Sequence, residues 1–428
     1  MRVAVISDSL PPRVDGIAVV VTHLVAGLVR HGHDVLLIGP GAKTSSGVRS
    51  VCLPAVRTPF DGYPLSLPWR RRVNRALESF RPEVISIQTI GPVAILGLSW
   101  AARYGIRVLF HWHTDFESYA RTYPVARVVA FFACLVLVMD RYWSGGVRRP
   151  WNSASPAPGK PRIIARTLWL ATSRAVAVCA PCRGVVPQIR AFGVRCPVFV
   201  LPADVTEQEL GVDGFAARLA LARIPGGGGR PYVLYVGRLS REKNLQLLLD
   251  AFVRVVASDS RALLVLVGPE HDSRTQAMLK PYLQAHHDRI VSLGSHRRDE
   301  LGEIYRRATV FVTPSLSETQ CLCVSEAISL DVPVLVVDPR LAEDRPLGAV
   351  QVVEPVPARL AAAIADHLNR ARSGTASGSQ AASGRWAGFG RSSGPDLAAR
   401  FVVATGFAQD AQDDVTYRWR GGRWLNQP

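Results

Sequence analysis

Lysine is almost absent from this chain of 428 residues, even though its formal net charge is +17. Only four lysines occur, so arginine supplies nearly all of the 51 basic residues. This excess of positive charge suits a nucleic acid, an anionic membrane or a phosphorylated ligand, although the codon bias of a GC-rich genome would also produce it. Because no nucleic-acid-binding module is visible in the sequence, we expect no nucleic-acid partner.

Long apolar runs are lacking as well. The longest extends from Val128 to Met139 and has twelve residues, whereas a helix that crosses a bilayer needs about 20. The first apolar run ends at Asp8, which makes it too short for the core of a secretion signal. We therefore expect a cytoplasmic protein, with peripheral contact to the inner face of a membrane as an open alternative.

Metal-binding patterns are also missing. The seven cysteines are odd in number and irregularly spaced, which favours reduced thiols over a disulfide framework. Cys179 and Cys182 form a single CxxC pair, and the second pair that a zinc site would need is not found. His111 and His113 have no evident third ligand, and no D-x-D motif occurs. We expect neither a metal ion nor a bound cofactor.

The sequence does contain a repeated alternation of apolar strands and helices. Arg2 to Ile6 and Val35 to Ile38 predict buried strands, and a segment with apolar residues at helical spacing lies between them. The pattern starts again at Tyr232 to Val236 and continues to a helix near 358–369. Such alternation implies parallel sheets covered on both faces, so we predict an α/β fold of two facing doubly wound, Rossmann-like domains.

The domain boundaries follow from composition. We predict domains at residues 1–222 and 231–370, joined by a glycine-rich linker at 223–230. Residues 371–428 are predicted to form a low-complexity tail with a basic and aromatic end. Ligands of doubly wound sheets bind beyond the carboxyl ends of the strands, so the expected site is the cleft between the two domains.

One motif in the second half suits an anionic ligand. Gly237-Arg-Leu-Ser-Arg-Glu-Lys243 follows a predicted strand and precedes a predicted helix. Glycine at the turn, two cations and the N–H groups of a helix N-terminus together favour a phosphate. The alternative is that Arg238 and Lys243 are surface charges on a first helical turn.

A second motif contains two carboxylates. Glu318 lies in a serine-rich loop, and Glu326 lies in an apolar, helix-like run that precedes the strand at Val332 to Val337. Carboxylates placed just before a buried strand are candidates for accepting hydrogen bonds from a ligand. The alternative is that both are solvated surface charges.

With these two motifs together, the chain resembles the retaining family-four glycosyltransferases of GT-B architecture, over roughly residues 1–370. It is most similar to GDP-mannose-dependent α-mannosyltransferases and bacterial lipid glycosyltransferases. Further segments that match the family's pattern are Ser9 to Gly16, Pro82 to Ile87, His111 to Phe116, Gly294 to Leu301 and Tyr305 to Ala308.

The resemblance implies a nucleotide-diphosphate sugar as co-substrate and a hydroxyl acceptor, with the acceptor on the 1–222 domain and the donor on the 231–370 domain. It implies that Glu326 binds the donor ribose, that Glu318 binds a sugar hydroxyl, and that no metal is needed. The catalytic residues that it implies are His113, Glu318 and Asp115. The nucleotide-sugar-binding residues that it implies are Gly16, Arg238, Lys243, Ser295, His296, Cys321, Leu322, Cys323 and Glu326.

This chain departs from the family's pattern at several places, one of which is the segment Leu201 to Thr206, where the glycine and aspartate usual at their positions are lacking. Gln320 and Cys321 stand where the family usually has Phe-Gly, Asp331 stands where it has glycine, and Asp15 stands where a first glycine is common. The departures at Gln320, Cys321 and Asp331 motivate one alternative, a non-catalytic protein that binds a nucleotide sugar and scaffolds a partner. The retained cations and carboxylates oppose it.

The donor and the acceptor remain open in the sequence. Mannose from GDP-mannose is the first choice, and a UDP-hexose used on a soluble secondary metabolite is the alternative. Positive charge and the apolar run at Val128 to Met139 favour a lipid acceptor at an anionic membrane surface. The same run is more typical of a helix packed inside the first domain.

Overall fold

The computed structural model describes residues 1–13, 15–41, 48–57, 64–122, 162–203, 210–211, 215–226, 229–270, 273–373, 397–407, 415–420 and 423–427. The chain divides into two compact units, Met1–Ala203 with Gly394–Pro428, and Asp204–Ser393.

The strands of the described residues are β1 (Arg2–Ile6), β2 (Asp34–Pro40), β3 (Arg49–Leu53), β4 (Ala55–Arg57), β5 (Pro64–Ser66), β6 (Val84–Ile87), β7 (Arg107–His111), β8 (Ala177–Ala180), β9 (Val198–Val200), β10 (Tyr232–Val236), β11 (Leu263–Val267), β12 (Ile290–Gly294), β13 (Val310–Thr313), β14 (Val334–Val336), β15 (Val350–Val352), β16 (Thr416–Arg420) and β17 (Arg423–Gln427). Their α-helices are α1 (Gly16–Arg30), α2 (Arg70–Phe80), α3 (Pro92–Tyr104), α4 (Phe116–Thr122), α5 (Arg162–Thr172), α6 (Val186–Ala191), α7 (Phe215–Ala222), α8 (Leu245–Ser258), α9 (Ser273–Ala285), α10 (Gly302–Arg306), α11 (Leu322–Ser329), α12 (Pro357–Arg372) and α13 (Leu397–Phe407).

The main sheet of the first unit has, among the described residues, the strand order β17-β16-β9-β8-β7-β6-β1-β2-β3. Strand β1 is parallel to both of its neighbours, and Val3 lies opposite Val35 on one side and Val84 on the other. The chain runs outward from β1 in one direction and outward from β6 in the other. Ligands of doubly wound sheets bind outside the carboxyl ends of the strands where the order reverses, which here is between β1 and β6.

The sheet of the second unit repeats this plan within the described residues, in the order β12-β11-β10-β13-β14-β15. Its neighbouring strands are parallel throughout. Successive side chains of β10 enter opposite cores, because Val233 packs against α8 and α12 while Leu234 packs against α7, α10 and α11. The order reverses between β10 and β13, and we call the carboxyl ends of these two strands the second-unit switch point.

Both sheets confirm the predicted fold class of two doubly wound α/β domains. Strand β1 is buried from Val3 to Ile6, and β10 and β11 are buried throughout. Continuous apolar runs of this kind are what parallel strands covered on both faces require.

The structure divides the chain at a different place from the predicted 223–230 linker. Helix α7 belongs to the second unit, because Leu221 and Ile224 pack into the core that contains Tyr232. Arg223 then donates hydrogen bonds to the carbonyls of Leu293 and Ser292, at 2.8 and 3.1 Å. The second unit therefore begins at Asp204, before the glycines rather than after them.

The C-terminal residues differ from the predicted tail at 371–428. Helix α12 extends to Arg372 in the second unit, and the described part beyond it joins the first unit, where α13 packs against α1. Strand β16 pairs in parallel with β9, and the Tyr417 ring stacks on Phe199 with centroids 5.2 Å apart. The basic and aromatic segment is thus a β-hairpin that extends the sheet, since β17 pairs antiparallel with β16.

No helix in the described part of the chain is long and apolar enough to cross a membrane. The apolar run from Val128 to Met139 lies outside the described residues.

Candidate active site

The turn after β10 places the backbone of Gly237 very close to the backbone of Gly268. Gly237 has a φ of 154°, and a Cβ on Gly268 would lie 1.9 Å from the carbonyl oxygen of Gly237. The Tyr235 hydroxyl donates a 2.9 Å hydrogen bond to the carbonyl of Arg238. Only glycine fits such an approach, so these contacts fix the path of the motif that the sequence singled out.

Lys243 and Glu318 form an ion pair at the second-unit switch point. Lys243 Nζ lies 2.6 Å from Glu318 Oε1, and the two side chains are 18% and 14% exposed. Burial alone would lower the pKa of Lys243, but the Glu318 carboxylate outweighs burial and raises it. Arg238 lies beside the pair and contacts Glu242 at 3.0 Å. The site therefore holds two cations, each paired with a carboxylate, where a ligand of this sheet would bind.

Glu326 has a different environment from Glu318. Its Oε1 accepts a 2.9 Å bond from Arg298 Nε, and its Oε2 accepts a 2.8 Å bond from the Tyr305 hydroxyl. Burial and then nearby negative charge raise the pKa of Tyr305, which keeps the hydroxyl a donor. The buried Glu326 is thus tied to the segment after β12, so that the two carboxylates eight residues apart are held by separate cations.

Cys321 is the N-cap residue that precedes α11, and its backbone has a conformation that most residues avoid. Its φ is 54° and its side chain makes no capping bond to the helix. Burial raises the pKa of the Cys321 thiol to about 12, so the thiol is neutral and adds no negative charge at the helix start. Leu322 and Cys323 form the first turn. Asp331, another of the departures from the family's pattern, is also left-handed, with a φ of 57°.

Ser295 and His296 lie in the segment after β12. Ser295 is exposed, whereas His296 Nδ1 lies 3.2 Å from Glu300 Oε2. The segment reaches the rest of the site through Arg298, which binds Glu326. Sequence reasoning missed Arg298, and its spacing from Glu326 offers no signal that the two residues meet.

His113 lies at the carboxyl end of β7 in the first unit. Its Nε2 is 2.7 Å from Gln88 Oε1, and Gln88 Nε2 donates to Ser86 Oγ at 2.7 Å. Because the Gln88 oxygen accepts, Nε2 of His113 carries the proton. Burial lowers the pKa of His113 to about 4, against an opposing effect of Asp15. The ring is therefore a neutral imidazole at pH 7.

The His113 ring is part of a stack of three rings. His111 stacks on His113 with ring centroids 5.7 Å apart, and Phe401 of α13 stacks on His111 at 5.8 Å. The C-terminal helix thus packs against the strand end that carries His113. Sequence reasoning missed both Gln88 and Phe401.

Asp115 lies two residues after His113 and forms hydrogen bonds with Ser118 and Gln188. Its Oδ1 accepts a 3.0 Å bond from the backbone N–H of Ser118, which caps α4, and a 2.6 Å bond from Gln188 Nε2. The bond from Ser118 is that of a helix N-cap.

The predicted phosphate contact at Gly16 lies at a helix start that already has a carboxylate. Asp15 accepts a 2.9 Å bond from the N–H of Ala18, a 2.7 Å bond from Ser9 Oγ and a 2.5 Å bond from Arg13 Nε. Gly16 itself is exposed as the first residue of α1. A further buried carboxyl, Asp8, has a pKa raised by burial to about 6 and was not anticipated from the sequence.

Among the described residues, no group of three or more histidine, cysteine or acidic side chains is placed to hold a metal ion.

Two doubly wound units, with two cation–carboxylate pairs at one switch point, define a two-domain α/β protein with charged groups where a ligand of such a sheet binds. The chain matches the family model "Glycosyltransferase Family 4" over residues 14–205 and the model "Glycosyl transferases group 1" over residues 230–370. The chain belongs to the family-four glycosyltransferases of GT-B architecture, as predicted, and it is a glycosyltransferase.

Curated relatives carry the same class of activity in their names. A GDP-mannose-dependent alpha-mannosyltransferase of Mycolicibacterium smegmatis is 27% identical over 352 residues, which are 79% of this chain and 80% of the relative. An alpha-monoglucosyldiacylglycerol synthase of Acholeplasma laidlawii is 23% identical over 345 residues, 78% of this chain and 80% of the relative.

Solved structures share the fold. Anabaena Alr3699/HepE in complex with UDP-glucose has a TM-score of 0.64 and 14% identity, and the match covers 96% of this chain and 100% of that one. Sucrose-phosphate synthase from Thermosynechococcus elongatus has a TM-score of 0.61 and 17% identity, covering 96% of each chain.

Proposed function

We propose that this glycosyltransferase moves mannose from GDP-mannose to a hydroxyl of a lipid acceptor, with retention of configuration and without a metal ion. The observation that carries the proposal is the Lys243–Glu318 pair at the second-unit switch point, 2.6 Å apart and largely buried. The name of the Mycolicibacterium smegmatis relative supports GDP-mannose as the donor.

Each half of this pair has a task in sugar transfer. The Lys243 ammonium and the Arg238 guanidinium neutralise the diphosphate that departs, which is the task of a metal ion in other transferases. Glu318 accepts a hydrogen bond from a hydroxyl of the transferred sugar and stabilises positive charge that develops at the anomeric carbon. The start of α11 supports this assignment, because N–H groups of a first helical turn favour a phosphate.

Glu326 is proposed to bind the donor ribose. A carboxylate has about four acceptor positions, and Arg298 and Tyr305 account for one bond to each oxygen. The remaining positions suit the two hydroxyls of a ribose. Arg298 also compensates the negative charge of the buried Glu326 carboxylate.

A lipid acceptor is supported by the surface of α2. Trp69, exposed, precedes the helix, and the Arg72 guanidinium lies 5.5 Å from the centre of its ring. We call the exposed side chains here the α2 patch, and they are Leu67, Trp69, Arg70, Arg71, Arg72 and Arg75. No acidic residue interrupts the sequence from Leu67 to Arg75. Arginines beside exposed apolar side chains favour an anionic lipid surface.

Vesicle pelleting tests the acceptor side. The chain should pellet with vesicles of phosphatidylglycerol and phosphatidylcholine at low salt, and should be released at high salt, because a surface interaction of this kind is screened. Changing Arg70, Arg71 and Arg72 to glutamine should abolish pelleting. The matched control changes three exposed arginines of the second unit, Arg254, Arg359 and Arg370. Equal loss in both variants would show that net charge alone, not the α2 patch, governs binding.

A transfer assay tests the donor and the chemistry. Radiolabelled GDP-mannose and UDP-glucose are offered with a bacterial lipid extract in the presence of a chelator. We expect label in the lipid phase from GDP-mannose and loss of it in Glu318→Gln, with Glu303→Gln as the control on the same unit. Incorporation from UDP-glucose instead would favour the glucosyl alternative, which the name of the Acholeplasma laidlawii relative supports.

A further inference from the structure

The loop that carries Glu318 depends on other parts of the chain for its shape. It runs from Pro314 to Cys321, between β13 and α11, and contains no helix or strand. We call it the Glu318 loop. Backbone groups of such a segment need partners from outside, because no ladder satisfies them. It also ends in the left-handed Cys321, a conformation that the surroundings must impose on a residue other than glycine.

One side of the Glu318 loop is held by the motif after β10. Asn244 Nδ2 donates a 3.1 Å bond to the carbonyl of Pro314, and Ser317 Oγ donates a 3.1 Å bond to the carbonyl of Glu242. The Lys243–Glu318 pair belongs to the same side. These contacts join the two motifs that the sequence had singled out.

The other side is held by two arginines from the segment after β14, which belongs to neither motif. Arg340 Nη2 donates a 2.8 Å bond to the carbonyl of Leu316. Arg345 Nη2 donates a 2.8 Å bond to the carbonyl of Gln320. The two carbonyls stand two residues before and two residues after Glu318. The backbone of the loop is therefore hydrogen-bonded to an arginine at an equal distance in sequence on either side of Glu318.

Both arginines are themselves oriented by a second contact. Arg340 binds the buried Asp338 through Nε and Nη2, at 3.0 and 2.7 Å. Arg345 Nη1 donates a 2.6 Å bond to Ser325 Oγ in the first turns of α11. The planar guanidinium of Arg345 thus links Gln320, the residue before the left-handed Cys321, to Ser325 in the helix that follows it. A lysine offers a single nitrogen and cannot form the same bridge.

We propose that Arg340 and Arg345 are positioning residues, which set the place of Glu318 and the start of α11 by fixing the Glu318 loop. Their effect reaches the substrate through the loop, without contact of their own. Because misplacement of a reacting group by about 1 Å can reduce a rate by about a hundredfold, the loss of one anchor should appear in turnover more than in donor binding.

Hydrogen exchange and kinetics on Arg345→Lys test the inference together. We expect amide exchange in peptides covering 315–325 to rise about tenfold or more, kcat to fall about tenfold or more, and the donor KM to change less than about threefold. The matched control is Arg230→Lys. Arg230 also donates a 2.8 Å bond to a backbone carbonyl, that of Arg261, but at the amino ends of β10 and β11. Arg230→Lys should leave all three quantities within about twofold.

Chemical rescue separates positioning from general stability. Millimolar guanidinium should restore part of kcat to Arg345→Ala, because the ion can occupy the space and donate to the same two oxygens. It should not change Arg230→Ala. If Arg345→Ala does not fold, Arg340→Lys serves in its place and is expected to raise exchange around Leu316.

The inference rests on the proposed function only for its activity readout. If no donor gives transfer with the unchanged chain, the proposed function fails, and hydrogen exchange still decides about the anchors. Exchange in 315–325 that stays within twofold in both Arg345→Lys and Arg340→Lys would overturn the inference, whatever the activity.

Discussion

Replacing Glu318 with glutamine removes one charge of a largely buried ion pair and leaves the shape of the side chain nearly unchanged. Lys243 then remains as a cation that is 18% exposed, without the carboxylate 2.6 Å away that raises its pKa. Removing one partner of a fully buried pair costs about 3–5 kcal/mol. Because water still reaches both side chains, we expect Glu318→Gln to lower the free energy of unfolding by about 2–3 kcal/mol.

A double-mutant cycle isolates the pair from other effects of the change. Lys243→Met should cost a similar amount, and the double variant should cost clearly less than the two single changes added, with a coupling of about 2 kcal/mol. The assay is urea unfolding followed by far-ultraviolet circular dichroism. The pair of Arg307 and Glu303, whose side chains are 44% and 22% exposed, is the control, and Glu303→Gln should cost less than about 0.5 kcal/mol. A coupling below about 0.5 kcal/mol between Lys243 and Glu318 would refute the reasoning.

The pH dependence of this pair has a definite sign. The pKa of Lys243 is higher in the folded chain than the ordinary value of 10.5. The pair's contribution is therefore fully present below pH 10.5 and is lost as pH rises through the raised pKa. The difference in stability between the unchanged chain and Glu318→Gln should stay constant from pH 7 to about 10 and shrink above it.

Three further predictions concern the rest of the site. Burial lowers the pKa of His113 from 6.5 to about 4, so the stability that depends on the neutral ring is present above pH 6.5 and is lost as pH falls towards 4. Between pH 7 and pH 4 this ring should therefore account for roughly 3 kcal/mol of the decrease in the free energy of unfolding. His113→Gln should remove that part of the decrease, as measured by urea unfolding at the two pH values. Cys321→Gly should change stability by less than about 0.5 kcal/mol, since relief of the left-handed strain offsets the entropy of glycine, whereas Cys323→Gly within α11 should cost about 1 kcal/mol. Phe401→Ala should cost about 3–4 kcal/mol in thermal unfolding, because the ring is fully buried against His111. Val403→Ala, at a position that is 42% exposed, should cost less than about 1 kcal/mol. Equal losses at the two positions would contradict the packing described for α13.

Much of the second-unit site was predictable because its signals are local. An apolar strand, a glycine and then Arg238 and Lys243 occur within the twelve residues from Tyr232 to Lys243. Parallel strands end at one edge of a sheet, and the order in which β10 and β13 are neighbours brings the motif after β10 close to the loop after β13. The ion pair between them is a direct consequence of that topology.

The partners of the site residues could not be predicted, because each depends on contacts between distant segments. Gln88 meets His113 across neighbouring strands, and Arg345 meets the carbonyl of Gln320 although α11 and β14 lie between them in the chain. Arginine is abundant in this chain, so no feature of the sequence distinguishes Arg345 from the arginines on the surface.

The C-terminal hairpin was overlooked although a signal existed. Thr416 to Arg420 and Arg423 to Gln427 are two short segments rich in aromatic and polar residues, separated by Gly421-Gly422. Two runs joined by two glycines are typical of a hairpin. Its attachment to β9 could not be deduced, because the pairing is between residues more than two hundred positions apart.

The most direct test of the central claim is calorimetric titration of GDP-mannose and GDP into the unchanged chain, Arg238→Ala and Lys243→Met, with Arg254→Ala as the control. The account predicts saturable binding to the unchanged chain and to Arg254→Ala without added metal, and affinity at least about tenfold lower in the other two variants. Equal affinity in all four proteins would contradict it, because the diphosphate would then be held by residues other than the cations of the second-unit switch point.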